Sequence, residues 1–182
     1  MKQLFKNRYR SETARLKGWD YGWNAAYFVT ICTQNRKHYF GQIVNHEMVL
    51  SNIGVMAEKY WNEIPEHFPF VRLGSSIIMP NHVHGIITIE KTDTVATQNI
   101  ASPHENHKNQ GNKFEPQSQN LGSIIRGFKT GVKKYATINK IEFAWQPRYY
   151  DHIIRDDESF QRIEQYIINN PVNWKNDDYN DG

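Results

Sequence analysis

Two imidazoles separated by one apolar residue, His82-Val83-His84, lie in the run Ile77-Ile-Met-Pro-Asn-His-Val-His-Gly-Ile-Ile-Thr-Ile89. The run is rich in β-branched residues and reads as a strand. Side chains alternate faces along a strand, so both histidines point one way and Val83 the other. Two neutral imidazoles about 7 Å apart on one face can hold a divalent cation. Alone, the pair reads more readily as two polar residues on the wet face of a half-buried strand. A second pair changes that balance. Tyr166 and Asn170 stand four apart in Gln161-Arg-Ile-Glu-Gln-Tyr-Ile-Ile-Asn-Asn-Pro171, hence on one face of a helix. Their phenol and amide oxygens can address the same point. If that point is a cation held by His82 and His84, open coordination positions remain for a phosphate oxygen. Taken singly, Tyr166 also fits a core position in an apolar stripe, and Asn170 a helix end before proline.

The elements that must position these groups follow from hydrophobic pattern and turn residues. Residues 25–33 read as a buried strand, and a short strand lies near Glu47-Met-Val-Leu50. Ser51 then caps a helix in which Ile53, Met56, Ala57, Tyr60, Trp61 and Ile64 recur at helical spacing, closed by Pro65. Residues 71–79 and 82–90 are two further strands, with Pro80-Asn81 as the turn that delivers His82. Over 121–138 a helical stripe of Ile124, Ile125, Phe128, Val132 and Tyr135 is flanked by Arg126, Lys129, Lys133 and Lys134. Trp145 to Arg155 is a loop entering a strand. A last helix starts after Asp156 and is expected to stop at Asn170-Pro171. This order predicts an α+β fold, a ferredoxin-like sandwich with an antiparallel sheet and helices on one face. Residues 1–182 are expected to form a single domain with a basic N-terminal arm over 1–24 and a polar, flexible insertion over 91–120. His104 and His107, three apart in that insertion, read as a solvated pair and not as a metal site.

Composition narrows the function classes. Charged residues make up 23% and hydrophobic ones 38%, the balance of a globular protein. A net charge of +3 permits nucleic-acid binding without demanding it. The single cysteine, Cys32, excludes an intrachain disulfide, and its apolar neighbours suit a buried inert thiol. No apolar run approaches the roughly 18 residues that a bilayer requires, and the N-terminus lacks the apolar core of a signal peptide. A cytoplasmic protein without membrane contact is expected.

Four segments in one order resemble a known family. They are Met-Pro-Asn followed by His-Val-His84, then Leu121-Gly-Ser-Ile-Ile-Arg-Gly-Phe-Lys129, then Trp145-Gln-Pro-Arg-Tyr-Tyr-Asp-His-Ile-Ile-Arg155, then Tyr166-Ile-Ile-Asn-Asn-Pro171. Together they resemble the single-tyrosine HUH transposases, specifically the REP-associated tyrosine transposase branch, over roughly residues 20–175. The resemblance implies that His82 and His84 bind a metal, Mg²⁺ or Mn²⁺. It implies Tyr166 as the nucleophile and Asn170 as the third ligand, where insertion-sequence relatives often carry Gln. The long polar segment 91–120 departs from the pattern. The implied partner is single-stranded or hairpin DNA. A homodimer sharing tyrosine helices, as in the insertion-sequence type, and a monomer with its site in cis both remain open.

The residue types suit that chemistry. Free tyrosine has a pKa of about 10, so ionising it at neutral pH costs roughly 4 kcal/mol. A metal on the phosphate can supply several kcal/mol by polarising a non-bridging oxygen. The expected reaction is cleavage and rejoining of single-stranded hairpin DNA through a 5′-phosphotyrosine, with no high-energy cofactor. Tyr135, beside Lys133 and Lys134, is the rival nucleophile, although its spacing favours the core. Arg126, Lys129, Lys133, Lys134, Arg148 and Arg155 are the expected DNA contacts, with Tyr149 and Tyr150 packing or stacking on bases. Three other activities compete. A relaxase or replication-initiator-like nickase shares the chemistry. A histidine-triad hydrolase would want a third alternating histidine where Ile86 stands. A non-catalytic nucleic-acid-binding module could use the same fold.

Overall fold

A computed structural model describes residues 16, 18–92 and 119–180. The arm over 1–15 and the body of the insertion, with His104 and His107, therefore lie outside the described residues. Four strands form one sheet: β1 (Ala25–Cys32), β4 (Val71–Ile78), β5 (His82–Ile89) and β6 (Tyr150–Ile154), in the order β4-β5-β1-β6. Each neighbouring pair is antiparallel. With helices α1 (Asn52–Asn62) and α3 (Leu121–Ile138) crossing over after β1 and β5, this is the ferredoxin-like order expected from the sequence.

Local chemistry explains the helix boundaries. Ser51 caps α1 by accepting from the Gly54 amide. At α3, Asn120 accepts from the Ser123 amide while Ser123 Oγ accepts from the Asn120 amide, a reciprocal capping box. Asp156 caps α4 (Asp157–Asn173) through the Ser159 amide. Pro65 does not simply end α1. It enters the first turn of a separate short helix, α2 (Ile64–His67), where its missing N–H has no helical partner to lose.

Three differences from the pattern reading bear on the site. Residues Gly41–Val44 form a strand, β2, paired in a hairpin with β3 (Glu47–Leu50). Its turn puts Asn45 and His46 at φ 51° and 67°, the left-handed pair of a primed hairpin turn. Next, α4 does not stop at Asn170-Pro171 but continues to Asn173. Proline already has a helical φ, only one turn follows it, and buried Trp174 anchors that turn against the rings of His38 and His82. Finally, α1 and α3 share one face of the sheet, whereas α4 lies across the other, packing Ile167 with Phe28, Ile86 and Ile154.

Strand alternation therefore sorts the chain into two worlds. Tyr27, Val29 and Ile31 of β1 and Val83, Ile87 and Ile89 of β5 join Trp61, Ile124, Ile125, Phe128 and Val132 in the large core beneath α1 and α3. Gly85 completes that face because a Cβ there would collide with the Trp61 ring. Phe28, Thr30, His82, His84 and Ile86 face α4 instead.

Candidate metal and tyrosine site

His82 and His84 lie on the α4 face of β5, 0% and 1% exposed, with ring centroids 4.3 Å apart. Each ring is held by its Nδ1. His82 Nδ1 is 2.8 Å from Asn81 Oδ1 in the turn before β5. A carbonyl oxygen only accepts, so Nδ1 carries the proton and Nε2 keeps a lone pair. His84 Nδ1 is 2.9 Å from Thr30 Oγ1, its cross-strand neighbour in register on β1. On its other side His84 Nε2 is 3.2 Å from the Tyr166 hydroxyl; a hydroxyl both donates and accepts, so these two contacts serve either tautomer of His84. His82 Nε2 is thus an aimed lone pair, and both rings are oriented by outer partners as metal-binding histidines usually are. Burial pushes the His82 pKa down to about 3, with Arg36 adding to the effect. His84 is lowered well below its usual value, first by burial and then by His82. Both rings are therefore neutral near pH 7, the form that binds metal.

The tyrosine helix brings its pair to the same place. Tyr166 is 44% exposed, its ring against those of His84 and Phe28. Burial, with Asp177 next, pushes its pKa up to about 12. Asn170 is buried one turn further along, and its Nδ2 donates to Asp177 Oδ2 at 2.7 Å. A carboxylate only accepts, so this bond settles which end of the amide is nitrogen and leaves Oδ1 turned away from it. Neither Asn170 Oδ1 nor His82 Nε2 has a hydrogen-bond partner among the described residues, although both are buried. Two orphaned acceptors in a dry site are costly unless something positive fills the space between them. The donor set fits a divalent cation.

Sequence pattern missed Asp177, which follows the 3-10 turn Trp174–Asn176 after α4. One ligand atom each from His82, His84 and Asp177 lie within 4.8 Å of one another, a group able to hold a metal ion. The acidic run at the chain end was the available signal, but nothing in it says which carboxylate folds back. Tyr179 follows, its ring 4.7 Å from His82 and 5.6 Å from His84, with the Arg36 guanidinium over its other side.

Tyr135, the rival nucleophile, packs against the core beneath α1 and α3, on the far face of the sheet from the imidazoles. Arg126, Lys129, Lys133, Lys134 and Arg148 line one groove of about 730 Å³ along α3, with Trp145 and Tyr149 in its wall. Two of these cations already have structural work. Lys129 donates to the Gln146 and Arg148 carbonyls, and Lys133 to the Phe143 carbonyl. Arg155 is exposed at the junction of β6 and α4, outside that groove. Tyr150 stands exposed on the site face, its ring 6.4 Å from Phe28.

An antiparallel ferredoxin-like sheet carrying a histidine pair, crossed by a helix that supplies a tyrosine and an amide, defines a class of domain. A Haemophilus influenzae protein described as uncharacterized is 41% identical over 165 residues, covering 90% of this chain and 89% of the relative. This chain and that protein belong to one family. A second H. influenzae protein, described as a "putative REP-associated tyrosine transposase", is 27% identical over 154 residues, 84% of this chain and 73% of its own length. Among solved structures, a REP-associated tyrosine transposase bound to a REP hairpin matches the fold with a TM-score of 0.54 at 18% identity. That match covers 83% of this chain and 68% of the transposase. The resemblance to the REP-associated tyrosine transposases is therefore present in both sequence and fold. No family model matches the chain.

Proposed function

We propose that the protein is a DNA strand transferase that cleaves and rejoins single-stranded or hairpin DNA through Tyr166. The observation that carries this reading is the convergence of a half-exposed phenol on the buried site where two neutral imidazoles and the unpartnered Asn170 Oδ1 meet. His82, His84 and Asn170 would hold a divalent cation, Mg²⁺ or Mn²⁺. Bound there, it would supply positive charge to a non-bridging phosphate oxygen.

The chain's own residues do the rest. Burial and Asp177 keep Tyr166 protonated in the resting protein, so its nucleophilicity is latent until a phosphate is seated. His84 Nε2 is 3.2 Å from the Tyr166 hydroxyl; were that nitrogen to serve as a ligand, its lone pair would be unavailable to the phenol, which would be free to turn outward. The Tyr166 phenol gives up its proton as its oxygen bonds to phosphorus, the bond from phosphorus to the 3′ oxygen breaks, and that oxygen takes up a proton in exchange and leaves as a hydroxyl. Rejoining is the reverse, by a second 3′-hydroxyl. Asn81 holds His82 in the required tautomer, and Thr30 orients the ring of His84. Tyr150 and Phe28 offer aromatic surface beside Tyr166, suited to an unpaired base. Arg126, Lys134, Arg148 and Arg155 are the proposed phosphate contacts, and one domain acting in the cytoplasm suffices for the reaction.

Incubation with labelled hairpin DNA and Mn²⁺ tests the proposal. The expected result is a denaturation-resistant protein–DNA adduct that Tyr166→Phe abolishes. An adduct that survives the substitution overturns the assignment. Binding without adduct in the unaltered protein indicates a non-catalytic DNA-binding module.

A further inference from the structure

We infer that Asp177, from the turn beyond the tyrosine helix, is the anionic ligand of the same metal site, joining the two imidazoles and the amide. The inference rests on the reading of His82, His84 and Asn170 as ligands and adds to it the member that carries charge. Two imidazoles and a carboxamide are all neutral, and such a set competes poorly with water for a hard cation such as Mg²⁺ or Mn²⁺. A carboxylate is what that set lacks.

Asp177 is placed to provide it. An oxygen of its carboxylate lies with His82 and His84 ring nitrogens in a group whose ligand atoms are all within 4.8 Å of one another. The pocket it enters holds the unpartnered acceptors His82 Nε2 and Asn170 Oδ1, both in residues about 1% exposed or less. A carboxylate beside two unpartnered acceptors is stabilised by a cation between them, and one ion would serve all three groups. The carboxylate is also held in place. Oδ2 accepts from Asn170 Nδ2 at 2.7 Å and Oδ1 from the Tyr179 amide at 2.7 Å. The turn that carries it is fixed in its place by Asn81 Nδ2 donating to the Tyr179 carbonyl and Arg36 Nη1 to the Asp178 carbonyl. Asn81 thus ties His82 on one side and the Asp177 turn on the other.

A purely orienting role for Asp177 predicts something different from ligation. Asp177→Asn keeps an oxygen that can accept from Asn170 Nδ2 but removes the charge. If Asp177 only aims the amide, the variant binds metal as the parent does. If it is a ligand, affinity falls. Isothermal titration of Mn²⁺ into the full chain, with no DNA present, separates the two. The expected result is one site in the unaltered protein, weakened more than about 100-fold in Asp177→Asn, beyond the roughly 10- to 100-fold that loss of an orienting partner costs. Asp178→Asn, which removes the same charge one residue on, should titrate like the parent, and unchanged thermal unfolding without metal should show that both variants fold. Equal Mn²⁺ affinity in Asp177→Asn and the parent overturns the inference, as does an equal loss in Asp178→Asn. The two proposals fail separately. Mn²⁺ binding through Asp177 without a DNA adduct defeats the strand-transfer reading alone, whereas an adduct alongside full Mn²⁺ affinity in Asp177→Asn defeats this one alone.

Discussion

The two faces of the sheet are built from the same strands and do opposite jobs. Beneath α1 and α3, Tyr27, Val29, Ile31, Val83 and Ile87 interdigitate with Trp61, Phe128 and Val132, and an added methyl at Gly85 has no room. On the α4 face the apolar cluster is small, with Phe28, Ile86, Ile154 and Ile167 its buried members, and beside it sit His82, His84, Thr30 and Asn170. The packed face holds the fold and carries one unpartnered donor, Trp61 Nε1, whereas the other concentrates unpartnered acceptors, His82 Nε2 and Asn170 Oδ1, at one point, a cost that a protein of ordinary stability tolerates only where something else is gained.

If that division is real, substitutions should segregate. The largest effect on stability belongs to the packed face: Trp61→Ala should cost about 3–5 kcal/mol, read by chemical denaturation. A loss below about 1 kcal/mol would mean that this face is not the one bearing the fold.

The next effect belongs to the wet face and to pH. His82 binds a proton at its ordinary value of about 6.5 when unfolded, but only near 3 when folded. Between those values the unfolded state holds more protons, so stability falls as pH drops below 6.5 and is recovered as pH rises. The loss from His82 should be about 2 kcal/mol at pH 5, and His84, lowered in the same direction by burial, adds to it. Denaturation midpoints measured from pH 7 to 5 check this. A flat profile would show that the imidazoles are not buried neutral.

The smallest effects distinguish cations along α3. Lys133 donates to the Phe143 carbonyl, so Lys133→Ala should lower stability by about 1–2 kcal/mol. Arg126 is exposed in the groove, and Arg126→Ala should leave stability alone while reducing the salt slope of hairpin-DNA binding by about one. An unchanged slope would confine DNA contact to the α4 face.

Much of this was legible in the chain. Strand alternation put His82 and His84 together, helix spacing put Tyr166 above Asn170, and cap residues marked the starts of α1, α3 and α4, because each is a short-range rule of backbone geometry. The β2–β3 hairpin was less visible, since Asn45-His46 lacks the glycine that usually announces its turn. Pro171 misled for a related reason: its helix-breaking tendency is local, while Trp174, buried against two histidine rings, is a tertiary anchor that outweighs it. The preference for Tyr166 over Tyr135 rested on local spacing alone, and the structure separates them by the face of the sheet, Tyr135 packing against the core beneath α1 and α3.

By itself, then, the sequence determined most of the elements, the class of fold and the spacings that put His82 with His84 and Tyr166 with Asn170, all consequences of periods of two and of about four residues. The tertiary structure alone decided that α4 crosses the face opposite α1 and α3, that the phenol meets His84, that Lys129 and Lys133 hold a loop, and that Asp177 returns to the imidazoles. Those are contacts between residues far apart in the chain or beyond a turn, where closure depends on what is buried against what and no local periodicity records the answer.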